Sequence, residues 1–103
     1  MDIKSVQNLV QDALSQVRTI SPDEALDLSK KEKCNLIDIR DKVEIQNLGK
    51  IENSFHISRG LLEFSIHPDS PYVQNNNIDL DKEIVLFCAA GGRSALAAKT
   101  LKE

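Results

Sequence analysis

Long apolar runs, positive charge and cysteine are all in short supply in this sequence. No stretch of its 103 residues approaches the ~20 consecutive apolar residues that a membrane-spanning helix needs. Lysine and arginine number 13 against 16 aspartates and glutamates, a net charge of −3. A nucleic-acid footprint requires a basic face and a polybasic membrane patch requires a basic cluster, so neither nucleic acid nor a membrane is expected as a partner. Residues 1–17 lack the basic start and continuous apolar core of a signal peptide, and a cytoplasmic location is expected. Cysteine occurs only as Cys34 and Cys88. In a reducing compartment the two are expected as thiols rather than a bridge, and together with His56 and His67 they show no zinc-ligand spacing. Internal repeats, low-complexity tracts and domain linkers are also lacking, which leaves one domain with one modest core.

What is present alternates between helical and strand-like patterns. Val6, Leu9, Val10, Ala13, Leu14 and Val17 recur at three and four residues, an amphipathic helix. Residues 17–20 read as a short strand. Ser21 then suits an N-cap, Pro22 the first helical position and Glu24 the closing of a capping box. That helix carries Ala25, Leu26 and Leu28 and fades in the charged run 30–33. Residues 35–40 read as a strand, 41–47 as a polar turn or short helix punctuated by Gly49, and 54–58 as an alternating strand. Pro68, Pro71 and the asparagines at 75–77 keep 59–77 in loops or short helices. The run 83–87 suits a strand covered on both faces, and 95–102 is rich in helix formers. This order predicts an α/β fold with a mainly parallel sheet flanked by helices, organised as an N-terminal helix over 1–17 and a domain over 18–103.

The chemistry concentrates in Cys88-Ala89-Ala90-Gly91-Gly92-Arg93-Ser94. A buried strand ends at Cys88 and a helix begins near Ser94, and in open α/β sheets ligands bind at the carboxyl ends of the strands. Small residues let the loop curl with its N–H groups inward, as an anion nest. Gly91 and Gly92 tolerate positive φ, the helix start adds partial positive charge, and Arg93 adds a full one. A cysteine so placed is expected to have its pKa lowered from about 8.5 toward roughly 3.5–7.5, a primed nucleophile facing an anion cup. The plainer alternative is a structural cysteine before a glycine-rich turn, but it leaves the double glycine, the arginine and the abrupt helix start unexplained.

That loop resembles the active-site loop of the rhodanese family. Leu36-Ile37-Asp38-Ile39-Arg40 followed by Glu44 is similar to the family's hydrophobic-D-x-R block with its later glutamate. The stretch from Gly49-Lys50-Ile51 through His56-Ile57-Ser58-Arg59-Gly60 is similar to its G-H-I-x-G-A to I-P-R-G block, with Ser58 where the family usually has proline. The resemblance spans roughly residues 20–103, with the blocks in order. It implies a three-layer rhodanese-like fold and a sulfurtransferase that takes sulfane sulfur from thiosulfate or a persulfide onto Cys88. The sulfur then passes to a thiol, to cyanide or to an acceptor protein. The backbone of Ala89, Ala90, Gly91, Gly92, Arg93 and Ser94 would hold the anionic sulfur, and no metal or organic cofactor is implied. Phosphatases and arsenate reductases of this fold have a loop one residue longer; here four residues separate Cys88 from Arg93, which favours sulfur over an oxyanion. Family members continue beyond the helix at Ser94 with a central strand and a final helix. Those elements are expected to be missing from this sequence, which stops at Glu103, and their loss to leave buried backbone groups unpaired.

Other residues carry open readings. Arg93 acts through its charge or pairs with a carboxylate and braces the loop. Asp38 and Arg40 are expected as structural support, Arg40 pairing with Glu44. Arg59 lines the entrance or is a surface arginine. Cys34 is better read as a small apolar residue than as a resolving thiol. A non-catalytic rhodanese-like binding module is the competing function, and the presence of Cys88 argues against it.

Overall fold

The computed structural model describes residues 2–89 and 91–102; Ala90, expected in the substrate loop, lies outside them. Local capping chemistry sets the first two helices. In α1 (Val6–Gln16) the Ser5 hydroxyl accepts from the Asn8 N–H at 3.1 Å. In α2 (Pro22–Lys30) Ser21 accepts from the Glu24 N–H at 3.1 Å and Pro22 opens the helix, as expected. The order continues β1 (Cys34–Asp38), α3 (Lys42–Leu48), β2 (Phe55–His56), a 3-10 turn (Arg59–Leu61), α4 (Leu62–Ile66), α5 (Pro71–Gln74), β3 (Glu83–Phe87) and α6 (Gly92–Lys102).

The three strands form a parallel sheet in the order β2-β1-β3. Asp38 lies in register with both His56 and Phe87, so the carboxyl ends of all three strands finish together. Ile37, Ile39, Ile57, Leu62, Ile78 and Ala97 make the core, with Phe55, Leu86 and Cys88 packed against it. The N-terminal helix α1 rests on α6. Ala13 is fully buried, Lys99 Nζ donates to Asp12 Oδ2 at 2.9 Å and Lys102 Nζ to the Gln16 carbonyl at 2.6 Å. Val6, at its start, and Ile3, before it, stay exposed. Among the described residues no helix is long and apolar enough to cross a membrane.

Three expectations are corrected. Residues 17–20 are not a strand. Val17 has extended φ and ψ, but extended backbone becomes a strand only with a partner, and what holds this segment is a surface contact, Arg18 Nη1 to Glu83 Oε1 at 3.6 Å. The strand read over 54–58 shrinks to Phe55–His56, although the Ile57 N–H still reaches the Asp38 carbonyl and the Arg59 N–H the Ile39 carbonyl. The run 83–87 is not covered on both faces: Glu83 is exposed and the other four residues are half-buried. The reason is position, since β3 stands at the edge of the sheet and pairs, among the described residues, with β1 alone. No strand lies between β1 and β3, which hydrogen-bond directly.

Candidate active site

Cys88 follows the last residue of β3 and is half-buried. The chain then reverses through a tight loop. Gly91 has φ +87°, a conformation costly for any residue with a Cβ, and its N–H donates to Cys88 Sγ at 3.2 Å. Sγ lies 3.6 Å from Ser94 Oγ, and Ser94 Oγ donates to the Gly91 carbonyl at 3.1 Å. Helix α6 begins at Gly92, so the sulfur sits beside a helix N-terminus. Cys88, Gly91 and Ser94 thus lie together, with Gly92 opening the helix and Ala89 lining the adjacent cavity.

Arg93 takes the bracing role among its two readings. Its guanidinium grips Glu44 in a two-pronged pair, Nη1 to Oε1 at 2.5 Å and Nη2 to Oε2 at 2.8 Å. The pair ties the first turn of α6 to the first turn of α3, where Glu44 Oε1 also accepts from the Asp41 N–H at 3.2 Å. Arg93 holds the Glu44 carboxyl down at about 2, and Glu44 in turn raises the guanidinium above its usual range. The expected Arg40–Glu44 pair is therefore replaced. Arg40 instead closes on Asp38, Nε to Oδ1 at 3.0 Å and Nη2 to Oδ2 at 2.7 Å, and donates to the Gly49 carbonyl at 2.9 Å. The reason is reach and burial: Asp38 is 1% exposed, and a buried carboxylate must be paired. Arg40 also lies over the Phe87 ring at 5.9 Å and so braces the end of β3 next to Cys88.

A cavity of about 380 Å³ opens beside the sulfur, lined by Arg40, Leu48, Gly49, Lys50, Ile51, Phe87, Cys88 and Ala89. Arg59 is not in this lining. It forms a surface pair with Glu63 at 2.8 Å, one helical turn away, which is the plainer of its two readings. Cys34 starts β1 opposite Glu83, five residues before Cys88, or about 16 Å along the strand direction. Burial and the Glu83 charge push its thiol up, and it fits the small half-buried role expected of it. His56 is structural, its Nε2 2.7 Å from the Arg40 carbonyl.

Lys50 and Ile51 entered the sequence reading only as part of the Gly49-to-Gly60 block and Leu48 not at all, because an apolar pair around a lysine near a glycine looks like any loop. The Glu44–Arg93 pair was missed because its partners are 49 residues apart; the available signal was the Asp41-x-x-Glu44 spacing of a capping box.

A parallel sheet whose edge strand delivers a cysteine into the start of a helix defines an α/β domain with a cysteine-loop site. The chain belongs to the rhodanese-like family: residues 21–103 match the family described as Rhodanese-like domain. Among solved structures it is similar to a protein of unknown function from Rhodopseudomonas palustris, described as a possible tyrosine phosphatase. The two are 39% identical, with a TM-score of 0.81, over 99% of this chain and 78% of that one. A search of the curated proteins gave no match.

Proposed function

We propose that this protein is a sulfurtransferase that carries sulfur as a persulfide on Cys88. The observation that carries the reading is the Gly91 N–H aimed at Sγ from 3.2 Å at the start of α6. Such a donor and the helix dipole stabilise a thiolate and then the terminal sulfur of a persulfide. The Cys88 thiolate attacks the sulfane sulfur of thiosulfate, the S–S bond breaks with its electron pair leaving on sulfite, and Cys88 keeps the transferred sulfur. Attack by cyanide or a thiolate on that outer sulfur returns the Cys88 thiolate. Of the described loop residues, Ala89, Gly91, Gly92, Arg93 and Ser94 form the anion cup, with Ser94 Oγ 3.6 Å from the sulfur. Asp38, Arg40 and Glu44 hold the cup's walls. The reaction belongs to the cytoplasm, where acceptor thiols stay reduced.

The description of the Rhodopseudomonas protein favours a second reading, a phosphatase. A phosphatase needs its loop arginine on the phosphate oxygens, whereas both prongs of Arg93 are on Glu44, and the four-residue spacing makes a small cup. Steady-state assays separate the two. Thiocyanate formation from thiosulfate and cyanide with parallel double-reciprocal lines is expected. Hydrolysis of an aryl phosphate without thiocyanate formation overturns the sulfurtransferase reading.

A further inference from the structure

A second cavity, of about 360 Å³, lies at the amino ends of the strands, at the end of the sheet opposite Cys88. Its volume is that of a small-molecule site. Cys34 at the start of β1, Ser29 in the last turn of α2, Asn53 before β2 and Asn76 and Asn77 ahead of β3 contribute to its wall. Reacting groups in open α/β sheets sit at the carboxyl ends, so the chemistry of Cys88 leaves this cavity unused. Glu32, Asn53 and Asn76, with φ of 56°, 67° and 63°, are the non-glycine residues of positive φ among the described residues, and all three line it. Such conformations gather at ligand sites. Ser29 is 9% exposed. Among the described residues its hydroxyl has no hydrogen-bond partner yet remains accessible, whereas a hydroxyl on so buried a residue usually has one. The side-chain amides of Asn53, Asn76 and Asn77 are likewise unpaired among the described residues. The wall itself is fixed, because Asn35 Nδ2 donates to the Asp79 carbonyl at 2.8 Å and Asn35 Oδ1 accepts from the Asp79 N–H at 2.9 Å.

Charge and hydrogen-bonding capacity define the ligand. Lys30 and Lys82 line the cavity together with Glu32 and Asp79, so the lining carries no net charge and a simple ion of either sign finds its attraction offset. A zwitterion meets both signs. Each unpaired amide offers a donor and an acceptor side by side, which a carboxamide matches with two hydrogen bonds at once. We propose that this cavity binds a free amino acid with a carboxamide side chain. Its ammonium and carboxylate lie among the four charged side chains, and its amide meets the asparagine side chains and the Ser29 hydroxyl. Binding involves no covalent step, and the inference stands apart from the sulfurtransferase reading.

Cys34 lines the cavity and supplies the readout. In Cys88→Ser it is the sole cysteine, and the rate of its alkylation by N-ethylmaleimide, followed by intact mass, reports a ligand in the cavity. L-Glutamine, L-glutamate and L-norleucine share the zwitterionic head and differ in the end group: carboxamide, carboxylate or alkyl. L-Glutamine is expected to slow alkylation and to reach half its effect at a concentration about tenfold below the other two, the worth of the two hydrogen bonds of an amide pair. Asn77→Ala, at an exposed position of ordinary φ, is expected to weaken that protection by about two- to tenfold. Ser29→Ala is expected to weaken it by a similar factor while raising the melting temperature, because alanine is the better helix former and no hydrogen bond within the chain is lost. Circular dichroism shows that each variant folds. No protection by L-glutamine up to its solubility, equal protection by the three amino acids, or protection unchanged in both variants overturns the inference. A lowered melting temperature in Ser29→Ala with unchanged protection marks the hydroxyl as structural and overturns its part in binding. Each of these outcomes leaves the sulfurtransferase reading untouched, since sulfur loading of Cys88 is measured separately.

Discussion

Arg93 and Glu44 show how a residue next to a nucleophile can act through structure. The guanidinium points at a carboxylate on another helix, so much of its charge is neutralised before it reaches Cys88, and what remains for the sulfur is chiefly the loop N–H and the helix start. Loss of either partner frees the first turn of α6 from α3. The pair also has a pH signature. Glu44 titrates at about 2 in the folded protein against 4.5 for an ordinary glutamate. A carboxyl depressed by folding contributes stability that is fully present above the higher value and is lost as pH falls from 4.5 through about 2. Thermal unfolding followed from pH 6 to pH 2 should therefore show a flatter acid limb in Glu44→Gln than in the wild type; parallel limbs would contradict the pairing. Arg93→Lys keeps the charge but not the two-pronged geometry. It is expected to lower the melting temperature and slow sulfur uptake, as seen by differential scanning fluorimetry and a thiocyanate assay.

At the scale of elements, the loop between β3 and α6 depends on two adjacent glycines used differently. Gly91 has φ +87° and Gly92 does not, and a Cβ on Gly92 would meet Val10 Cγ2 of α1 at 3.6 Å, an ordinary contact. Gly91→Ala should destabilise by about 1–2 kcal/mol, the usual left-handed penalty, and displace the N–H aimed at Sγ. Gly92→Ala should be neutral or stabilising by about 0.4–1 kcal/mol through the unfolded chain. Chemical denaturation of both variants measures the contrast, and an equal effect would contradict the geometry. Ser58 has φ −56°, already within proline's range. Ser58→Pro should restore the family's usual residue and stabilise by about 0.4–1 kcal/mol; a destabilised variant would show that the Ser58 N–H is needed.

These elements also mark what was legible in the sequence. The cysteine loop could be read because its determinants are contiguous: an apolar run, small residues, two glycines and a helix-forming stretch. Ser21 and Pro22 announced α2 for the same reason. The failures are tertiary. Val17–Ile20 has strand-like residues without a strand partner, Glu83–Phe87 has a buried strand's composition at a sheet edge, and Arg40 chose the buried Asp38 over Glu44 because the fold, not the spacing, decides which carboxylate most needs a cation.

For the molecule as a whole, the sheet finishes its three strands on one level, and Cys88 occupies that level with α6 above it and α1 bracing α6. The other thiol, Cys34, lies at the opposite end of the sheet. This separation makes Cys88 the sole thiol with a loop N–H directed at it among the described residues, and it excludes an intramolecular exchange between the two cysteines without unfolding. Sulfur should accordingly load at one site only. The most direct measurement is intact-protein mass after incubation with thiosulfate, with circular dichroism to verify folding. The account predicts a gain of one sulfur atom, lost on adding cyanide, retained in Cys34→Ser and absent in Cys88→Ser. A folded protein that gains no sulfur, or that gains it equally in Cys88→Ser, contradicts the account.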